Sequence, residues 1–175
     1  MTIKLLFVCL GNICRSPSAE GIMNHLIAEQ GLGDRIQCDS AGTSNYHIGA
    51  APDARMTQAA REYGITLRGQ GRQVTFSDFE TFDYILAMDQ ANYRTLLALD
   101  RSGTYQDKIR LMCSFCQQFS DTEVPDPYYG GSDGFRYVVE LLMDACGGLL
   151  EHITQTHLST DFRAADLRGA DSSGA

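Results

Sequence analysis

The sequence predicts a single-domain, three-layer α/β/α protein around a central four-stranded parallel sheet. Three observations carry this. The chain has 175 residues, enough for one sizeable core with little room for a second. Apolar runs of strand length alternate with segments whose apolar residues recur at helical spacing, the order that builds parallel sheets with right-handed crossovers. The first apolar run is continuous rather than alternating, as in a strand covered on both faces.

Residues 3–8 form that first run, broken only by Lys4. Over 18–30, Ala19, Ile22, Met23, Leu26 and Ile27 repeat at helical spacing, with Pro17 suited to a first turn and Gly31 and Gly33 ending the segment. Residues 36–40 read as a second strand. After a loop, helical spacing returns over 53–63 and stops at Gly64. Residues 82–88 read as a third strand, with Asp89 capping a helix toward Leu99. Residues 109–112 form a fourth strand. A proline-bearing loop, SDTEVPDPYYGGSDG, leads to a last helix over 135–158.

The tail reads differently. TDFRA, ADLRG and ADSSG recur every five residues, too few units to bury a solenoid core. Residues 1–158 are therefore expected to form the domain, and 159–175 a flexible tail with a pentapeptide-repeat-like pattern.

The formal net charge of −8 argues against nucleic acid as a partner, since phosphate backbones need basic faces. One local positive pocket would still hold a small phosphorylated group. No apolar run approaches the ~20 residues of a membrane span. The opening MTIKLLFVCLG lacks a cleavage site and reads as a buried strand rather than an export signal. A cytoplasmic protein with six reduced cysteines is expected.

The chemistry concentrates in VCLGNICRSPSAE, residues 8–20. This loop leaves the C-terminal end of the first strand and enters a helix, which is where open α/β sheets bind ligands. Successive N–H groups in such a loop form an anion nest, and the helix adds its N-terminal dipole. Gly11 supplies backbone freedom, and Asn12 tolerates a left-handed conformation. Arg15 can fork two phosphate oxygens. Cys9 lies at the rim, where a thiolate would be stabilised, and Ser16 can donate a hydroxyl hydrogen bond to it. A Walker-type loop fits less well, because no G-K-[S/T] follows the glycine.

C-L-G-N-I-C-R-S-P resembles the N-terminal signature of the low-molecular-weight protein tyrosine phosphatases, in a form similar to bacterial members. The resemblance extends through Ser40-Ala41-Gly42-Thr43, Arg72-Gln73, Met88-Asp89 and Asp126-Pro127-Tyr128-Tyr129, over roughly residues 3–158. It implies a flavodoxin-like sheet order and hydrolysis of phosphotyrosine through a cysteinyl-phosphate. Cys9 would be the nucleophile and Arg15 the phosphate clamp. Leu10, Gly11, Asn12, Ile13, Cys14 and Ser16 would bind phosphate or support the loop, with Ser40 behind. Asp126, stiffened by Pro125 and Pro127, would be the general acid and then the base. Tyr46, Tyr128 and Tyr129 would wall a slot for a phenyl ring. No metal or cofactor is implied, because Arg15 and backbone amides neutralise the developing charge. Phosphotyrosine proteins are the implied partners, a bacterial tyrosine kinase among them, and the chain is expected to be a monomer or weak dimer.

The resemblance also implies a reversible Cys9–Cys14 disulfide, against which simple packing of Cys14 is the alternative. Many relatives carry a histidine three residues before the Arg-Gln pair. Here Gly69 stands there, which puts more of the loop's support on Ser40 and Asn12. Cys113 and Cys116 have redox or metal spacing, but one C-x2-C alone is weak evidence for zinc and packing explains it better. His47 borders the pocket through its loop.

Three other readings compete. Thiol-dependent arsenate reductases share the oxyanion loop but need relay cysteines, and none lies between Cys38 and Cys113. Phosphoarginine phosphatases favour threonine where this chain has Ile13. A phosphotyrosine-binding module would need the cradle but not the acid.

Overall fold

The computed structural model describes residues 1–128 and 130–159. Four strands form one parallel sheet: β1 (Ile3–Cys9), β2 (Ile36–Gly42), β3 (Tyr84–Ala87) and β4 (Ile109–Leu111), in the order β2-β1-β3-β4. Leu5 of β1 pairs with Cys38 on one side and Tyr84 on the other. The helices are α1 (Arg15–Glu29), α2 (Ala54–Glu62), α3 (Phe76–Thr81), α4 (Gln90–Leu99) and α5 (Ser132–Ile153).

The unbroken apolar character of β1 has a direct cause. Leu5, Phe7 and Cys9 pack into a core with α1, α2 and α5. Leu6 and Val8 point the other way, into a core with Phe79 of α3 and Leu96 of α4. Both faces are covered, which gives the three layers.

Several boundaries differ from the sequence reading. Helix α1 starts at Arg15 rather than 18, because the Ser18 N–H reaches the Cys14 carbonyl at 3.2 Å and pulls the loop's end into the first turn. Strand β2 runs on to Gly42. Its close packing explains the glycine: a Cβ there would lie 2.8 Å from the Leu10 carbonyl oxygen. Helix α5 begins at Ser132 and gives way to a π-helical turn over Thr154–Leu158. Helix α3 was not anticipated. At six residues it is too short for periodicity to show, but Asp78 accepts from the Thr75 N–H at 2.8 Å, and a T-x-x-D start was legible. The five-residue repeats over 160–175 lie outside the described residues.

The chain turns outward from β1 in both directions, to β2 on one side and β3 on the other. The crevice at the C-terminal end of such a switch point is the natural place for a ligand. Cys9 is the last residue of β1.

Candidate active site

The loop from Cys9 to Arg15 curls beneath a cleft of about 120 Å³. Asn12 sits at φ 56°, the only non-glycine with positive φ among the described residues. An asparagine tolerates that region better than most side chains. The turn aims the Asn12 N–H at the Cys9 sulfur, 3.3 Å away. Ser16 Oγ lies 3.1 Å from the same sulfur. Two polar groups thus face Cys9, which is only 2% exposed.

Arg15 is also buried, 3% exposed, in the first turn of α1. Its Nη1 donates to Asp89 at 2.6 Å and to the Val124 carbonyl at 3.1 Å. Its Nη2 lies 3.5 Å from Asp126. Burial works against the charge, but Cys9, Asp89 and Asp126 outweigh it and raise the guanidinium's pKa. Arg15 is a fixed cation at the cleft floor.

Asp126 reaches the cleft because its loop is pinned below. The Val124 N–H donates to the Met88 carbonyl at 2.8 Å, just beyond β3, while the Val124 carbonyl accepts from Arg15. Asp126 Oδ1 accepts from the Tyr128 N–H at 3.1 Å, so Oδ2 is the oxygen turned to Arg15.

Leu10, Gly11, Ile13 and Cys14 line the cleft with Cys9, Arg15 and Asp126. Tyr46, His47 and Tyr128 complete its lining. Tyr46 is 76% exposed, so the polar floor opens to an aromatic mouth. The Tyr128 ring lies 6.3 Å from the His47 ring and has the Arg55 guanidinium 5.2 Å from its centroid. Tyr129 lies outside the described residues. Asn12, Ser16 and Ser40 stand behind the loop. The Asn12 amide donates to Ser16 Oγ at 2.8 Å and to Ser40 Oγ at 3.0 Å, and accepts from the Arg72 N–H at 3.0 Å.

Sequence reasoning read Asp89 only as a helix cap. It is that, accepting from the Asn92 N–H at 2.8 Å, but its other oxygen holds Arg15. Arg55 and Glu20 also went unremarked. Glu20 meets Ser40 only through β2, while Arg55 has a local partner in the cap residue Asp53, 3.0 Å away, beside its distant contact with the Tyr128 ring.

Cys14 is buried, and that burial, with Asp53, Cys9 and Asp126 nearby, pushes its pKa up to about 12. Cys113 is buried and Cys116 half-buried, and the pKa of each is raised, first of all by burial.

A cysteine at a strand end, an anion nest, a buried arginine and a loop carboxylate across the cleft define a cysteine-dependent phosphate-transfer enzyme. The comparisons make this specific. The profile of the low molecular weight phosphotyrosine protein phosphatases matches residues 4–159, and the chain belongs to that family. A relative from Synechocystis sp., slr0328, is 57% identical over 148 residues, 85% of this chain and 94% of that one. The crystal structure of a protein tyrosine phosphatase from Entamoeba histolytica superposes with a TM-score of 0.86 at 47% identity, covering 90% of this chain and all of that one. A Drosophila arginine phosphatase superposes with a TM-score of 0.80 at 37% identity, covering 86% and 97%. The enzyme is a protein-tyrosine phosphatase.

Proposed function

We propose that Cys9 attacks the phosphorus of a phosphotyrosine held in the loop, forming a cysteinyl-phosphate that water then hydrolyses. The observation that carries this is the convergence of Cys9, Arg15 and Asp126 on one cleft. The nest and Arg15 neutralise the equatorial oxygens as charge develops. Asp126 gives its proton to the departing phenolate, then takes one from the attacking water. The backbone of Leu10, Gly11, Ile13 and Cys14 cradles the phosphoryl group. Asn12, Ser16 and Ser40 hold the loop, and Tyr46 and Tyr128 flank the ring.

The similarity to an arginine phosphatase raises phosphoarginine as a second substrate. Ile13 lines the cleft. Its apolar side chain suits an aryl ester better than a guanidinium, although one such contact discriminates only modestly.

Residues 1–158 are assigned as the catalytic unit. A reducing cytoplasm is the proposed compartment. Among the described residues no helix is long and apolar enough to cross a membrane. A tyrosine kinase of a bacterial host is the proposed protein substrate, and a monomer or weak dimer the proposed state.

The deciding experiment is hydrolysis of p-nitrophenyl phosphate, phosphotyrosine peptide and phosphoarginine peptide, in EDTA and reductant, by the enzyme and by Cys9→Ser. Turnover that prefers phosphotyrosine, survives EDTA and falls at least about 10⁴-fold with Cys9→Ser is expected. Vanadate binding should persist in the variant. Turnover that persists in Cys9→Ser overturns the nucleophile assignment.

A further inference from the structure

On the far side of Tyr128 from the cleft lies a groove of about 520 Å³, between α2 and the first turn of α5. Ala59 and Phe135, 5% and 1% exposed, form its floor. Ala54 and Gln58 line it from α2. Gly130 and Gly131 line the opposite wall without side chains, and open space stands where a Gly131 Cβ would be.

Arg55 joins the groove to the cleft. Its guanidinium lies 5.2 Å from the Tyr128 ring, which lines the cleft, and 4.9 Å from the Phe135 ring, which floors the groove, so the two rings stand at most about 10 Å apart. An extended chain advances about 3.3 Å per residue. A peptide whose phosphotyrosine fills the cleft can therefore reach the groove within two or three residues.

The chemistry of the groove narrows what it would take. Its floor is apolar. Its two arginines are already held, Arg55 by Asp53 at 3.0 Å and Arg136 by Glu62 at 2.9 Å. An entering carboxylate would have to displace one of these partners, and an entering lysine would meet two guanidinium groups. An apolar side chain faces neither penalty. Covering it with the Ala54 and Ala59 methyl groups and the flat guanidinium of Arg55 removes apolar surface from water.

We propose that this groove is a substrate subsite that takes an apolar side chain two or three residues from the phosphotyrosine, so that the enzyme prefers phosphotyrosine sites with a large aliphatic or aromatic residue at that position. The inference rests on the phosphotyrosine reading above. The groove lies away from the reacting atoms, and its contacts are the same before and during phosphoryl transfer. It therefore contributes uniform binding, which lowers KM and leaves kcat unchanged.

The test uses phosphotyrosine peptides that carry Leu, Phe, Ala, Glu or Lys at each position from three residues before the phosphotyrosine to three after it. Kinetics are measured for wild type, Gly131→Leu and Ala54→Leu. Gly131 has a φ of −81° and open space beside it, and Ala54 is exposed at the start of α2, so either leucine narrows the groove without crowding the core. At one position two or three residues away, Leu or Phe should lower KM about tenfold relative to Ala, the scale of partly burying one such side chain. The kcat should stay within about twofold. Each filled variant should lose this preference. Its kcat and KM for p-nitrophenyl phosphate, which is too small to reach the groove, should stay within about twofold of wild type.

Should one variant not fold, the other makes the same comparison from the opposite wall. Absence of an apolar preference at every position would overturn the proposal, as would a preference that survives in a folded, filled variant. A preference for Glu would overturn it in favour of an acidic residue that exchanges partners with Arg55 or Arg136. Failure to hydrolyse any phosphotyrosine peptide, beside turnover of p-nitrophenyl phosphate, would instead overturn the phosphotyrosine reading itself.

Discussion

Asp89 serves two elements with one carboxylate. Its Oδ2 accepts from Arg15 Nη1 at 2.6 Å, and its Oδ1 accepts from the Asn92 N–H at 2.8 Å. The guanidinium that grips phosphate is thereby tied to the first turn of α4, and its orientation is paid for in folding rather than in binding. Pre-organised charge of this kind needs no reorientation as the reaction proceeds.

The two roles separate on mutation. Asp89→Asn keeps a cap acceptor and should leave thermal stability nearly unchanged, while kcat/KM falls about 10- to 100-fold as Arg15 loses its anionic anchor. Asp89→Ala loses the cap as well and should cost about a further 1 kcal/mol of stability. Thermal unfolding beside steady-state kinetics checks this. Equal stability of both variants would remove the capping role.

The acid role proposed for Asp126 would show in the leaving group. Asp126→Ala should slow phenyl phosphate about 10²- to 10⁴-fold, and p-nitrophenyl phosphate much less, because nitrophenolate departs without a proton. A plot of log rate against leaving-group pKa should steepen in the variant. Parallel slopes would remove the proton-donor assignment.

Cys14 is held as a thiol at neutral pH, with a pKa pushed up to about 12. A disulfide to Cys9 then requires a peroxide to oxidise Cys9 to the sulfenic acid, which Cys14 captures with loss of water. Capture should quicken about tenfold per pH unit between roughly pH 7 and 9, following the scarce thiolate. Cys14→Ser should keep turnover within a few-fold but make peroxide inactivation irreversible by dithiothreitol. Full recovery of the variant would leave Cys14 a packing residue.

Asp144 on α5 ties down the chain after β4. Its Oδ2 accepts from the N–H groups of Gln117, Gln118 and Phe119 at 3.1, 3.0 and 3.0 Å. Burial opposes the charge, but these bonds outweigh it and hold the carboxyl below its usual range. A carboxylate depressed in the folded state contributes stability above its unfolded pKa and loses it as pH falls through the folded one. Asp144→Asn should therefore be less stable than wild type at pH 7, with the gap closing below about pH 4. Denaturant titrations at both pH values measure it. A gap independent of pH would mean that shape rather than charge is lost.

Much of this enzyme is legible along the chain because its chemistry is local. Cys9, Asn12, Arg15 and Ser16 lie within eight residues, and a strand end followed by a helix start gives that span one geometry. Strands β1 and β3 were legible because central strands covered on both faces carry near-continuous apolar runs, as β1 shows with Leu5 and Phe7 on one side and Leu6 and Val8 on the other. Asp126 was found only through resemblance, since a lone Asp between prolines reads equally well as a turn.

Tertiary structure alone decided the rest, for one physical reason: a hydrogen bond between distant elements leaves no periodicity in either. Asp89 lies 74 residues from Arg15 and looks, in sequence, like any helix cap. Glu20 and Ser40, 20 residues apart on α1 and β2, meet only because β2 pairs beside β1 and α1 packs over both. The candidate nucleophile and its cradle were written in the sequence, whereas what holds the arginine came from the order in which four strands assemble.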